Sequence, residues 1–153
     1  MLYNLCMNET QEREFVTTSA LVASLAQAGH MIDHRLDSAL EPYGLSLAKM
    51  GVLRNLVEAN GSAPLGYLAE RLACVKSNIT QLVDRLEADG LVRRVPDPED
   101  RRSVRAVITD KGREAYAAGR DAQARTEMDL LRSLSLDDRA RLVALLAHLN
   151  DGR

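Results

Sequence analysis

A chain of 153 residues, 46% hydrophobic and 27% charged, fits one globular domain with helical additions and enough apolar residues for a core. Its formal net charge of -2 announces no polyanion-binding protein, and 3% aromatics without Trp argue against a surface that stacks bases or sugars. No apolar run reaches the roughly 18 residues of a membrane span, the first residues show no basic region followed by an apolar core, and Cys6 and Cys74 make no disulfide framework, so a cytoplasmic protein off the membrane is expected.

Met1 to Thr10 show no clear period and are expected to fray. From about Gln11 to Leu40 the chain lacks Pro, and Leu21, Leu25, Ala28, Ile32 and Leu36 recur at helical spacing. This predicts one long helix, with a break before Ser19 as the alternative. Glu41-Pro42-Tyr43-Gly44 ends it. Ser46 is the expected N-cap of a second helix, with Leu47, Met50, Leu53, Leu56 and Val57 along one side and Asn60-Gly61 as its stop. Pro64 opens a short third helix carrying Leu65, Leu68, Ala69 and Leu72. After an Ala73-Cys74-Val75 link, a fourth helix presents Val75, Ile79, Leu82, Val83 and Leu86 on one face and stops at Gly90.

The period then changes. Leu91 to Val95 and Val104 to Ile108 read as strands, the second with Val104, Ala106 and Ile108 on one side. Between them Pro96 to Ser103 is a charged turn whose two prolines exclude a helix. Thr109 caps a long helix from about Asp110 to Arg132. Ser135 caps a last one from about Leu136 to Asn150, striped by Leu142, Leu145, Leu146 and Leu149. The predicted order is four helices, a hairpin and two helices: a mainly α fold.

Two short helices in tight succession, followed at once by a hairpin, make a winged helix-turn-helix, in which the second helix can enter a major groove while the hairpin reaches along the duplex. Opposite its apolar stripe that second helix carries Lys76, Ser77, Asn78, Thr80, Gln81 and Arg85, groups that hydrogen-bond base edges and phosphates. Any amphipathic helix has a polar face, so the face alone equally fits a solvated side; the neighbouring hairpin favours recognition. Between positions 91 and 113 seven basic residues, Arg93, Arg94, Arg101, Arg102, Arg105, Lys111 and Arg113, face Asp97, Glu99, Asp100 and Asp110, a net +3 that leaves -5 for the rest. Asp100 can hold a neighbouring guanidinium extended, and an oriented Arg suits the negative potential of a narrow minor groove. An exposed turn whose charges pair among themselves is the alternative.

These residues resemble the MarR (multiple antibiotic resistance regulator) family of transcription factors. The likeness runs through Leu68-Ala69-Glu70-Arg71-Leu72, Ser77 to Arg94, Asp97 to Ser103 and Ile108-Thr109-Asp110-Lys111-Gly112, with Ile108 where leucine is commoner. The flanking long helices fit too, so the likeness covers nearly the whole chain. It implies a homodimer in which residues 11–45 and 110–150 interleave for dimerisation around a DNA-binding region at 46–109. It further implies recognition-helix contacts from Ser77, Asn78, Thr80, Gln81 and Arg85, a minor-groove Arg102 braced by Asp100, and Arg101 or Arg94 near phosphate. A two-fold dimer reading a pseudo-palindromic operator is the usual remedy for the weak specificity of one small lobe. The last helix's leucines suit that seam, or packing within one subunit.

The resemblance also implies a repressor released by a small-molecule effector bound between dimerisation helices and DNA-binding lobe. His30, His34, Met50 and Arg54 are candidate lining residues from helix position alone. His30 and His34 stand four apart, yet only His148 remains as a further imidazole, so no metal and no cofactor is expected. Cys6 lies roughly where redox-sensing members place a thiol but lacks the tyrosines expected there, and Cys74 fits a small buried turn residue. Urate-type recognition needs a Trp, which the chain lacks. A redox-sensing regulator and a winged-helix protein-interaction module without DNA binding are the alternatives. No phosphate loop, metal cluster or nucleophile–base pairing points to an enzyme.

Overall fold

A computed structural model describes residues 9–73, 75–98 and 103–151, with the side chains of 9–16, 76 and 151 outside the description. Cys6, Cys74, Asp100, Arg101, Arg102 and the Lys76 side chain therefore lie outside the described residues. The elements run α1 (Glu9–Leu40), a 3-10 turn (Glu41–Tyr43), α2 (Leu47–Glu58), β1 (Ser62–Pro64), α3 (Leu65–Arg71), α4 (Lys76–Ala88), β2 (Val92–Pro96), β3 (Val104–Ile108), α5 (Asp110–Leu130) and α6 (Leu136–Asp151). The chain forms two compact units, one ending at Arg35 and the other starting at Leu36.

In the first unit α1 is continuous through Ser19. Of the expected stripe Leu21, Leu25 and Ile32 are exposed, as are Val22 and Met31 beside them. At its end Gly44 takes φ 67° and returns its N–H to Glu41 O, an exit that glycine makes without strain.

The second unit is built around α2, which touches α3, α4, α5 and two strands. Its N-terminus is set by Ser46, whose hydroxyl accepts from Lys49 N at 3.3 Å. Leu53 and Leu56 are fully buried beside Leu68 of α3, Ile79, Val83 and Leu86 of α4, and Val92 and Ala106 of the sheet. Each of the buried Leu, Ile and Val side chains contributes about 1.5–3 kcal/mol by leaving water. Val57, expected on this stripe, stands on the exposed flank of α2. Asn55 is buried in its place, donating to Gly51 O and accepting from Arg71 Nε at 3.1 Å, and so ties α3 to α2.

The sheet has three strands rather than two, in the order β1-β3-β2 with both pairings antiparallel. β1 escaped prediction because three residues ending in proline show no period; Pro64, without an N–H, suits this edge position. β2 begins one residue later than expected and pairs Val92 with Ile108 and Pro96 with Val104. Ala106 and Ile108 face the core as predicted, while Val104 at the outer end is exposed. Val75 also departs from expectation: it is the N-cap of α4 and 63% exposed, because the buried face starts one turn later at Ile79. Thr109 caps α5 by accepting from Gly112 N at 3.0 Å, and Ser135 caps α6 by accepting from Asp138 N at 3.1 Å. On α6, Leu142, Val143, Leu145, Leu146 and Leu149 are exposed.

Candidate nucleic-acid interface and adjoining cleft

The burial of Ile79, Val83 and Leu86 fixes which side of α4 faces outward. Ser77, Asn78, Thr80, Gln81 and Arg85 are all on that exposed side, spanning the first three turns. Val75 supplies no side-chain cap, although its carbonyl accepts from Asn78 N at 3.0 Å, and the helix dipole favours an anion at this end. The hairpin follows directly. Asp97 N donates to Ser103 O at 3.0 Å and closes its base, while 99–102 lie outside the described residues.

Arg94 has an internal role in this arrangement. Its guanidinium meets Asp84 and Glu87 of α4 and donates to Thr80 O at 3.0 Å, and its backbone N–H donates to Glu87 Oε1 at 2.8 Å. The wing strand is thereby strapped to the recognition helix over two turns. Arg105 is engaged with Ser62 and Asp97, and Lys111 donates to Asp89 O at 2.7 Å. Three of the seven basic residues in this segment thus hold the fold together, and the +3 tally overstates the positive charge offered outward. Arg93 is exposed on β2.

The C-terminal end of α4 is gripped from two sides. Lys49 Nζ of α2 meets Asp89 Oδ2 at 2.7 Å and also donates to Gly44 O, while Lys111 at the start of α5 reaches the Asp89 carbonyl. A cation at a helix C-terminus complements its dipole.

The same α2 and α5 enclose a cleft of about 400 Å3 lined by Leu47, Met50, Gly51 and Arg54 on one wall and Tyr116, Arg120, Gln123, Ala124 and Glu127 on the other. Met50 and Arg54 thus line the same cleft. His30 and His34 are exposed on α1 in the other unit. The α5 wall was missed by sequence reasoning. Its signal is the spacing of Tyr116, Arg120, Gln123 and Glu127, which places four polar groups on one helical face. Among the described residues no cluster of His, Cys, Asp and Glu could hold a metal, and no helix is long and apolar enough to cross a membrane.

Residues 43–103 match the family model described as MarR family. The chain is 30% identical over 132 residues to the transcriptional repressor MdtR of Bacillus subtilis, covering 84% of each chain. In fold it is similar to a mutant of MarR from E. coli complexed with operator DNA, with TM-score 0.77, 24% identity and coverage of 88% of this chain and 96% of that one. It is similar also to the organohalide-sensing RdhR regulator in its 2,4-dichlorophenol-bound form, with TM-score 0.80, 22% identity and coverage of 99% and 88%. The chain belongs to the MarR family of DNA-binding transcriptional regulators.

Proposed function

We propose that this regulator is a homodimeric repressor that reads a pseudo-palindromic operator and releases it when a small ligand enters the cleft between α2 and α5. The observation that carries the DNA reading is the outward run of Ser77, Asn78, Thr80, Gln81 and Arg85 on α4, with the wing strand strapped to that same helix by Arg94. Asn78 and Gln81 have the donor–acceptor pairs that read adenine, and Arg85 suits guanine or phosphate. Lys76 and Arg101 would neutralise backbone phosphate, and Arg102, held by Asp100, would enter the minor groove as in the proteins the sequence resembles.

Dimerisation through 11–45 and 110–150 is supported by apolar side chains without cover in one chain: Leu21 and Val22 on α1 and Val143, Leu145 and Leu149 on α6 are each more than half exposed. For the ligand, Arg54 and Arg120 line the cleft with Met50 and Tyr116, two basic residues against the one acidic residue Glu127, a lining suited to a small aromatic anion such as a phenolate or carboxylate. RdhR, of the same fold, takes 2,4-dichlorophenol. Because α2 and α5 also hold Asp89 through Lys49 and Lys111, a ligand that parts the cleft walls moves the recognition helix with them.

Selection from a random-sequence duplex library tests the reading. The protein should enrich two inverted half-sites whose centres lie about one helical turn apart, with affinity falling steeply as salt rises. Gln81→Ala should relax preference at one position per half-site by about 1–3 kcal/mol. Enrichment of no duplex, or binding indifferent to salt, would overturn it.

A further inference from the structure

Arg105 and Asp97 belong to the charged wing by sequence, yet neither is offered outward. Asp97 is only 6% exposed although it sits between Pro96 and Pro98 at the base of the hairpin. Pro98 biases Asp97 to extended backbone, and its N–H is already committed to Ser103 O. The carboxylate therefore turns inward, where Oδ2 accepts from an Arg105 terminal nitrogen at 3.2 Å.

The rest of the Arg105 guanidinium is committed to the far side of β3. Its Nε donates to Ser62 Oγ at 3.1 Å and its other terminal nitrogen to Ser62 O at 3.3 Å. One planar fork thus joins three strands: β1 at Ser62, β3 at Arg105 and the end of β2 at Asp97. β1 leads straight into α3, so the fork connects the root of the wing to the helix pair that carries α4. Arg94 straps the other side of β2 to α4 itself. The wing root has no freedom to rotate without breaking one of these two ties.

We propose that Arg105, with Asp97 and Ser62, is a wing-positioning group that sets the angle at which the hairpin meets DNA beside the recognition helix. It does so without touching DNA. The proposal rests on the DNA-binding reading above and adds to it a source of specificity in the sequence flanking each half-site. A guanidinium is required because three acceptors on two elements must be bridged in one plane; a lysine ammonium keeps the charge but lacks the fork.

The test compares Arg105→Lys with the wild-type chain in selection from a random-sequence duplex library, alongside thermal unfolding. The variant should keep the inner half-site bases, lose preference at the flanking positions reached by the wing, and bind the wild-type-selected duplex roughly ten- to hundredfold more weakly. A purely structural role would lower affinity evenly, in step with the unfolding midpoint, and leave the selected motif unchanged; that result overturns the proposal. So does wild-type affinity and motif in Arg105→Lys, since Arg105 would then act by charge alone. If Arg105→Lys does not fold, Ser62→Ala decides: it deletes one bond, and a several-fold loss confined to flanking positions supports the proposal while an unchanged motif overturns it. Failure of the wild-type chain to enrich any duplex removes the DNA-binding reading itself, and this proposal with it.

Discussion

Gly112 stands in the first turn of α5, where a methyl group has nowhere to go. A Cβ there would lie 2.1 Å from Leu91 O, 2.9 Å from Ile108 Cγ1 and 3.0 Å from Leu91 C. Ordinary contact begins near 3.4 Å, so helix and strand entrance must part by about 1.3 Å. The Leu91 carbonyl cannot simply swing aside, because it accepts from Thr109 N at 3.0 Å and from the Thr109 hydroxyl at 3.1 Å. Moving it breaks both bonds and strains the hydroxyl that caps Gly112 N. Overpacking of this kind costs about 1–3 kcal/mol and the loss of a cap about 1 kcal/mol more, against a gain of up to about 1 kcal/mol from alanine in a helix. Gly112→Ala should therefore destabilise by about 2–3 kcal/mol, which in a chain of this size lowers the unfolding midpoint by roughly 10 °C. Gly66→Ala on α3 is the control, since a Cβ there meets nothing within 4 Å; its midpoint should hold or rise slightly. Calorimetry or circular dichroism reads both. Equal midpoints for the two variants would refute the close approach of α5 to Leu91.

Arg94→Ala should weaken duplex binding while costing only about 1 kcal/mol of stability, since its partner Asp84 is half exposed and water screens the pair; a gel-shift titration and a denaturant melt separate the two effects. Leu145→Asp combined with Leu149→Asp places two charges on the exposed stripe of α6 and should shift the chain from dimer to monomer in light scattering, with helicity largely kept. A dimer that survives both substitutions would place the subunit seam elsewhere.

The lobe was legible in the sequence because its signals are local. Ser46, Thr109 and Ser135 each cap the helix they were expected to cap, through a bond three residues away. Gly90, with φ 74°, ends the turn after α4 where it was expected. Ile79, Val83 and Leu86 repeat at helical spacing, which also fixed the outward face carrying Gln81 and Arg85. Less legible were the features that depend on partners far along the chain. β1 is three residues long and exists because β3, more than forty positions later, pairs with it. The fates of Arg94, Arg105 and Lys111 were hidden for the same reason: a basic residue beside a wing reads as DNA-facing until its acceptors at Thr80, Ser62 and Asp89 are brought to it. The cleft needed α2 and α5 to be neighbours, so only its α2 wall, Met50 and Arg54, was anticipated.

The ties that looked like surface charge also decide how α4 can move. Its body is bound to β2 through Arg94, and its C-terminal end is bound to α2 and α5 through Lys49 and Lys111. α3 is bound to α2 in turn through Arg71 and Asn55. Any displacement that leaves these bonds intact carries α2, α3, α4, the wing and the start of α5 together as one body. The bonds on Asp89 are half exposed and individually weak, so they transmit motion only because the packed stripe of Ile79, Val83 and Leu86 keeps the helix from bending in between. The proposed ligand, in wedging Arg54 away from Arg120, would therefore pull on both bonds at Asp89. In the proposed two-fold dimer a resulting shift of α4 would change the distance between two recognition helices that have to meet successive major grooves.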